Sequence, residues 1–203
     1  MVKLNFDARG YWFQEGLKVL RSSFNSAVEA LELDVEGAKS QAAQYSASVD
    51  AGGEWIGERD EDGHVLWDQE SVLRMRLETC EEALMALRKA FVISAYHHWE
   101  RWIRAWTGSG HSADHDKLVR RAIERGLSMH EKLDAVRSLT NVLKHNKSTS
   151  GENLWATWSD LFPPDFRPTQ RATDWYNAVH LRNCHVLEIL EVAARSGPTA
   201  IFP

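Results

Sequence analysis

The stretch "VRSLTNVLKHNKSTSG", residues 136–151, combines a helical apolar pattern with a polar strip and then breaks into small polar residues. At 100° per residue, one side of a helix that ends near His145 collects four apolar side chains and a threonine. They are Leu133, Val136, Leu139, Thr140 and Leu143. This side is therefore expected to face the core of the protein, and we call the element the motif helix.

The opposite side of the motif helix is polar and carries Asp134, Arg137, Asn141, Lys144 and His145. The spacing of Arg137, Asn141 and His145 places them along one strip, each about 6 Å from the next. A histidine exchanges protons near neutral pH, and arginine and lysine side chains bind phosphate. The strip therefore has the parts of a site that cleaves a phosphodiester. A solvated helix face that ends in a histidine explains the same spacing and is the more ordinary interpretation of it.

The composition is that of a soluble globular protein. The chain has 203 residues, of which 43% are hydrophobic and 26% charged, and this predicts one domain over residues 1–203. No apolar run approaches the roughly 20 residues of a membrane span, and the first residues lack the apolar core of a signal peptide, so we expect a cytoplasmic protein without a membrane partner.

The charge is spread unevenly along the chain. The formal net charge is -5, yet residues 101–147 contain 10 Lys and Arg against 5 Asp and Glu. An excess of five positive charges in one segment can attract a polyanion to that part of the surface. The same excess is equally explained by basic side chains that pair with acidic helices of their own fold.

Long helices are expected on both sides of one irregular segment. Apolar residues recur at spacings of three to five from about residue 11 to 49, and residues 69–106 contain no Gly or Pro. Between these helices, residues 50–68 collect glycines and acidic residues around Trp55 and Trp67. This composition predicts a long loop or a short hairpin, the one segment that favours strands.

Further helices are expected in the second half of the chain. Ser112 can cap a short helix that ends at Gly126. Ser128 and Glu131 have the spacing of a capping box and predict the start of the motif helix. A final helix is expected from about residue 170 to 195. The fold class is therefore expected to be all-α, a helical bundle with long antiparallel helices.

Two segments together resemble the HEPN superfamily: "AYHHWERWIRAW", residues 95–106, and "TNVLKHN", residues 140–146. The motif of that family is Arg, usually followed by Asn, then three further residues and His, on a late helix. Thr140, Asn141 and His145 occupy these positions here. Asn141 and His145 match the motif, whereas Thr140 replaces the positively charged arginine.

The resemblance implies a HEPN-like helical bundle, a homodimer, and a place in a toxin, phage-defence or RNA-processing system. Family members with the full motif are ribonucleases that need no metal or other cofactor, in which the His transfers protons and the Arg stabilises the phosphate. Their site is commonly completed across the dimer. On this basis we expect His145 to act as acid and base and Asn141 to orient the RNA. Arg137 or Lys144 would have to replace the missing cation.

The long helix also carries an acidic residue that resembles the "hxxE" pattern of parts of this superfamily. This residue is Glu100, and on a helical wheel it shares a polar flank with His97 and Arg104. If the flank faces the motif helix, Glu100 and His97 contribute to substrate binding. The alternative is a surface ion pair between Glu100 and Arg104, which would contribute a few tenths of a kcal/mol.

Two functional hypotheses follow from the resemblance. The first is a metal-independent endoribonuclease that cleaves RNA with the residues named above. The second is a non-catalytic RNA- or protein-binding regulatory module, with an antitoxin or regulatory protein as a possible partner, and Thr140 favours it.

Two other clusters have simpler explanations than a functional site. The segment "HSADHD" offers metal-ligand types at His111, Asp114, His115 and Asp116, but helix capping and first-turn acids explain them without a metal. The segment "HLRNCH", residues 180–185, has the motif's residue types at the wrong spacing.

Overall fold

The computed structural model describes residues 8–169 and 173–199. Within them the chain forms seven α-helices, one 3-10 turn and one two-stranded sheet, which confirms the all-α class. The elements are α1 (Ala8–Asp50), β1 (Gly57–Arg59), β2 (Val65–Asp68), α2 (Gln69–Thr107), α3 (His115–Glu124), α4 (Leu133–His145), α5 (Ser148–Thr157), the 3-10 turn (Ser159–Leu161), α6 (Trp175–Ala178) and α7 (Asn183–Arg195). No described helix combines the length and the apolar character that crossing a membrane requires.

The chain forms two compact units. The first comprises the described parts of residues 1–24 and 88–203, and the second comprises residues 25–87. The boundary falls within α1 after Phe24 and within α2 before Arg88. The expectation of a single domain over residues 1–203 stays a prediction.

The first unit contains the motif helix, α4. The five side chains expected to face the core are each at most 6% exposed, because together they form the apolar side of the helix. The helix packs against α5, α6 and α7. Fully buried side chains from four other helices complete this core: Trp99, Ile103, Leu118, Leu154 and Ile189. Burying each such side chain favours folding by about 1.5–3 kcal/mol.

The start of α1 and the end of α2 run antiparallel in this unit, as expected. Phe13 stacks on His98 and Phe24 packs edge-on against Phe91, each with ring centroids 5.3 Å apart. His98 Nε2–H donates to the carbonyl oxygen of Phe13 over 2.9 Å. A Cβ at Gly16 would lie 2.2 Å from the His98 ring. The close approach of the two helices therefore depends on the glycine.

The second unit contains the rest of α1 and α2 and the hairpin that joins them. Arg76 on α2 donates to the Gln41 side chain on α1 over 2.9 Å. The strands pair antiparallel, with Gly57 opposite Asp68 and a bulge further along β2. Of the two expectations for residues 50–68, a loop or a hairpin, the hairpin is therefore correct.

The capping-box prediction for Ser128 and Glu131 is wrong. The helix begins after Lys132, which is the N-cap and makes no side-chain capping bond. Tertiary contacts hold the preceding segment instead: the backbone N–H of His130 donates to Ser196 Oγ over 3.0 Å, and the N–H of Lys132 donates to His130 Nδ1 over 3.1 Å. A contact across more than sixty residues overrides the local signal.

The cap of the short helix α3 also differs from expectation. Asp114, not Ser112, is the N-cap, and its side chain accepts a hydrogen bond from the Lys117 N–H over 2.9 Å. Both residue types cap helices well, so the sequence offered two competing starts only two residues apart.

The prediction of one final helix over residues 170–195 is wrong. Residues 170–172 lie outside the described part of the chain, and the rest divides into α6 and α7. Between these helices the N–H of His180 donates to the carbonyl oxygen of Leu161 over 2.8 Å. In a continuous helix this N–H would bond to the carbonyl oxygen four residues earlier, so its bond to Leu161 interrupts the helix.

Gly151 in α5 provides a test of the packing in the first unit. An added Cβ would lie 2.1 Å from Cδ2 of Trp175, so Gly151→Ala should lower the free energy of unfolding by about 1–3 kcal/mol. Gly37→Ala is the matched control, because nothing lies within 4 Å of its added Cβ, and should raise stability by about 0.5–1 kcal/mol. Urea unfolding followed by circular dichroism measures both. Equal effects would contradict the packing described.

Candidate functional site

The polar strip of α4 faces away from the core, as the helical pattern predicted. Arg137 and Asn141 are half-buried, whereas Lys144 and His145 are exposed. Thr140, which the HEPN resemblance aligns with an arginine, is 1% exposed, and its hydroxyl donates to the carbonyl oxygen of Val136 over 2.9 Å. This position therefore points into the core of the first unit.

A pocket of about 300 Å³ lies along part of this strip. Asp116 of α3 and Asp134, Arg137, Ser138 and Asn141 of α4 form one side. The other side comes from the start of α5 and comprises Lys147, Thr149, Ser150 and Asn153. The fold thus brings two of the expected residues, Arg137 and Asn141, to one pocket. Lys144 and His145 do not line it.

The chain enters α5 through a sharp turn at Asn146. This residue has φ +48°, a left-handed conformation that asparagine tolerates better than most residues. Its side chain fixes the turn by donating to Asp174 Oδ1 over 3.1 Å and accepting from the Tyr176 N–H over 3.0 Å. We call residues 144–147 the α4–α5 turn. It places Lys147 at the start of α5, beside the pocket.

The start of α5 has unused hydrogen-bond donors. Its N-cap, Lys147, makes no side-chain capping bond, and the first turn contains no acidic residue. The N–H groups of Ser150 and Gly151 bond to the Lys147 carbonyl oxygen, whereas those of Ser148 and Thr149 have no acceptor among the described residues. Free N–H groups at the positive end of a helix dipole attract anions.

The two acidic residues of the pocket already have partners. Asp116 accepts from Arg137 over 2.8 Å, and Asp134 accepts from His115 over 2.8 Å. Lys147 makes no ion pair within the described residues. The α5 side of the pocket therefore carries a positive charge, that of Lys147, without an ion-pair partner among the described residues.

Behind Asp134, a buried chain of hydrogen bonds joins three helices. Tyr96 on α2 donates its hydroxyl to Nδ1 of His115 over 2.9 Å, and Nε2–H of His115 donates to Asp134. Burial lowers the pKa of His115, although the Asp134 carboxylate opposes this effect. Burial likewise raises the pKa of Tyr96 well above its ordinary value. The imidazole is therefore neutral at pH 7. A neutral ring fits the hydrogen bonds, because Nδ1 accepts from Tyr96 while Nε2–H donates to Asp134.

The flank of α2 that carries Glu100 does not reach the pocket. Glu100 accepts from Arg104 over 3.0 Å and pairs with His97 over 3.3 Å. Arg104 also donates to the carbonyl oxygen of Ala113 over 2.9 Å. The ion pair that the sequence offered as an alternative is thus present, and neither Glu100 nor His97 lines the pocket with Asn141.

The residues of the possible metal cluster are held separately. Asp114 caps α3, His115 bonds to Tyr96, and Asp116 pairs with Arg137. Elsewhere in the described chain, the turn of the hairpin brings ligand atoms of Asp60, Asp62 and His64 within 4.8 Å of one another. These residues are accounted for by the turn, in which Asp60 Oδ1 accepts from the other two N–H groups.

The segment "HLRNCH" takes part in a different interaction. His185 is 2% exposed and donates Nε2–H to Asp160 over 2.9 Å, while its Nδ1 accepts from the Arg182 N–H over 3.1 Å. Arg182 also pairs with Asp160 over 2.5 Å. This cluster anchors α7 to the 3-10 turn and shares no residue with the α4–α5 pocket.

Sequence reasoning missed the α5 half of the pocket. The sequence pattern assigns no site role to the four residues of this half, Lys147, Thr149, Ser150 and Asn153. The available signal was the run Ser148–Thr149–Ser150, since small hydroxyl residues are common where helices begin. The structure shows that the left-handed backbone conformation of Asn146 ends α4 and that α5 starts two residues later, at Ser148.

The buried His115 makes stability depend on pH. The folded protein binds this proton less readily than the unfolded chain, whose histidines titrate near 6.5. The contribution to stability is therefore complete above about pH 6.5 and is lost as the pH falls through that value toward the lower folded pKa. Below about pH 7 the free energy of unfolding should decrease less steeply in His115→Gln than in the parent. The two slopes should differ by at most about 1.4 kcal/mol per pH unit, because only one proton is involved.

Urea titrations at several pH values would measure this slope. His180→Gln, which replaces an exposed histidine, is the matched control and should leave it unchanged. An equally steep decrease in His115→Gln would assign the pH dependence to other groups.

No protein-family model, curated protein or solved structure matches this chain. What the protein does is therefore inferred from the residues of the pocket and of the α4–α5 turn.

Proposed function

We propose that this protein is a non-catalytic HEPN-like module that binds RNA through the α4–α5 turn and the adjoining pocket. One observation carries the proposal. Lys144, His145 and Lys147 are exposed, make no ion pair within the described residues, and adjoin the uncapped start of α5. These groups offer positive charge and N–H donors in one place, which suits the phosphates of an RNA backbone.

The pocket supplies the contacts that a single-stranded RNA would need beyond charge. Asn141 and Asn153 provide amide groups, and Thr149 and Ser150 provide hydroxyls. Such groups hydrogen-bond to sugars, phosphates and base edges. Of the two carboxylates of the pocket, Asp116 pairs with the cationic Arg137, which reduces its repulsion of phosphate. Asp134 accepts from the neutral His115 and keeps its negative charge.

The arrangement of α4 favours binding over cleavage. The arginine position of the motif is held by Thr140, which is buried and carries no charge. No cation is therefore available at that position to stabilise a phosphate. Arg137 precedes His145 by eight residues, which is about 12 Å along an α-helix. Arg137 also pairs with Asp116 over 2.8 Å. Arg137 lines the pocket whereas His145 does not, so the two side chains do not share one site within the described chain.

Fluorescence anisotropy with a labelled single-stranded RNA tests the binding. Lys147→Gln should weaken binding roughly three- to tenfold and lower the slope of log affinity against log salt by about 1, because one phosphate contact is lost. Lys39→Gln removes an exposed lysine of α1 and should change neither quantity. No RNA binding by the parent, or equal losses in both variants, would contradict the proposal.

A second candidate function is metal-independent RNA cleavage, as in family members with the full motif. The observation that favours it is the state of His145, which is exposed and makes no hydrogen bond within the described residues. Lys144 and Lys147 lie on either side of it in the chain. An imidazole free to transfer protons next to two ammonium groups has the elements of phosphodiester cleavage. A second copy of the chain would have to complete the site.

Incubation of total RNA with the purified protein and EDTA separates the two candidates. Under the binding proposal, neither the parent nor His145→Ala produces fragments. If the parent yields fragments with cyclic-phosphate ends and His145→Ala does not, the protein is a ribonuclease. His180→Ala, at another exposed histidine, is the control and should behave as the parent does.

A further inference from the structure

A second cavity, of about 500 Å³, lies where α2 ends. Its lining comes from the last turns of α2 and the loop that follows, and comprises Arg101, Arg104, Ala105, Gly108, Ser109 and His111. None of these residues belongs to the α4–α5 pocket. The cavity thus combines a small apolar floor at Ala105 with three side chains that are or can become positively charged.

Most of the positive charge around this cavity is uncommitted. Arg101 and His111 make no hydrogen bond or ion pair within the described residues. Arg104 uses one terminal nitrogen for Glu100 and Ala113, while its buried Nε has no partner. This Nε is shielded from solvent, so a ligand in the cavity would meet the exposed Arg101 and His111 rather than that atom.

A further arginine is directed to the edge of the cavity. Arg121 of α3 donates one N–H to Ser109 Oγ over 2.9 Å. Ser109 in turn lies 2.8 Å from Thr107 Oγ1, whose own proton is donated to the Ile103 carbonyl oxygen. The Ser109 hydroxyl therefore donates to Thr107 and accepts from Arg121. It holds Arg121 next to the lining while the remaining N–H groups of that guanidinium stay available.

The end of a helix normally disfavours anions, because its last carbonyl groups are free and form the negative end of the dipole. At the end of α2 the protein satisfies two of these groups itself. The carbonyl oxygens of Arg104 and Trp106 accept from the Ser109 N–H and Arg125 Nη1, respectively. Arg101 takes part in none of these bonds. Its charge is therefore not explained as a partner for the helix end.

We infer that this cavity binds the phosphate group of a small phosphate monoester. Arginine guanidinium groups bind phosphate through paired N–H donors, and Arg101, Arg104 and Arg121 surround the cavity or its edge. Only one carboxylate, Glu100, pairs with any of the three within the described residues. The volume accommodates a group larger than phosphate alone, such as the sugar that carries it. The site does not depend on RNA binding at the α4–α5 turn.

Isothermal titration calorimetry with ribose 5-phosphate and ribose tests the site, because the two differ only by the phosphate. The parent should bind ribose 5-phosphate at least about tenfold more tightly than ribose. Arg101→Gln and Arg121→Gln should each remove most of this preference. Arg120→Gln, at an exposed arginine of α3 outside the lining, is the matched control and should retain it.

The proposal is overturned if the parent shows no preference for the phosphorylated sugar, or if Arg120→Gln loses as much as Arg101→Gln. Circular dichroism of each variant verifies that the fold is retained. A comparison of 5′-phosphorylated with 5′-hydroxyl RNA then distinguishes the sources of the phosphate. A preference for the 5′-phosphorylated RNA that Arg101→Gln removes identifies an RNA end, and equal binding of the two RNAs identifies a free sugar phosphate.

Discussion

The burial of one side of α4 sets the direction of the candidate functional side chains on that helix. Leu139 and Val142 are fully buried, so rotation of the helix would expose their apolar surface to water. Such exposure costs about 25 cal/mol of free energy per Å². The same constraint turns Thr140 inward and Arg137 and Asn141 outward. The position that the HEPN resemblance aligns with an arginine is therefore part of the core. The polar groups proposed for binding lie on the outer side and at the start of α5.

A chain of polar contacts also joins the outer side of α4 to two other helices. It runs from the buried Tyr96 and His115 to the exposed Asp134 and ties α2, α3 and α4 together. Such a network stabilises a single arrangement, because breaking any link leaves a buried polar group without a partner. It also positions Asp134 at the pocket, next to Arg137.

The basic segment, residues 101–147, contains both paired and unpaired cations among its described residues. Some of its cations pair within the fold, as Arg137 does with Asp116 and Lys132 with Glu188. Others remain exposed without an ion pair among the described residues, as at Arg101, Lys144 and Lys147. The unpaired cations do not form one surface stripe. They separate into the α4–α5 turn and the cavity at the end of α2, which is why two binding sites are proposed instead of one.

The sequence by itself determined the long helices and the buried side of α4, because both depend on a 3.6-residue apolar period that local residues define. Only tertiary structure decided where α4 starts, where the last helix breaks, and that α5 completes the pocket. Those features depend on contacts between distant residues, such as His130 with Ser196 and His180 with Leu161. Hydrogen bonds of this kind leave no periodic trace in the sequence, since each involves a single donor and a single acceptor far apart in the chain.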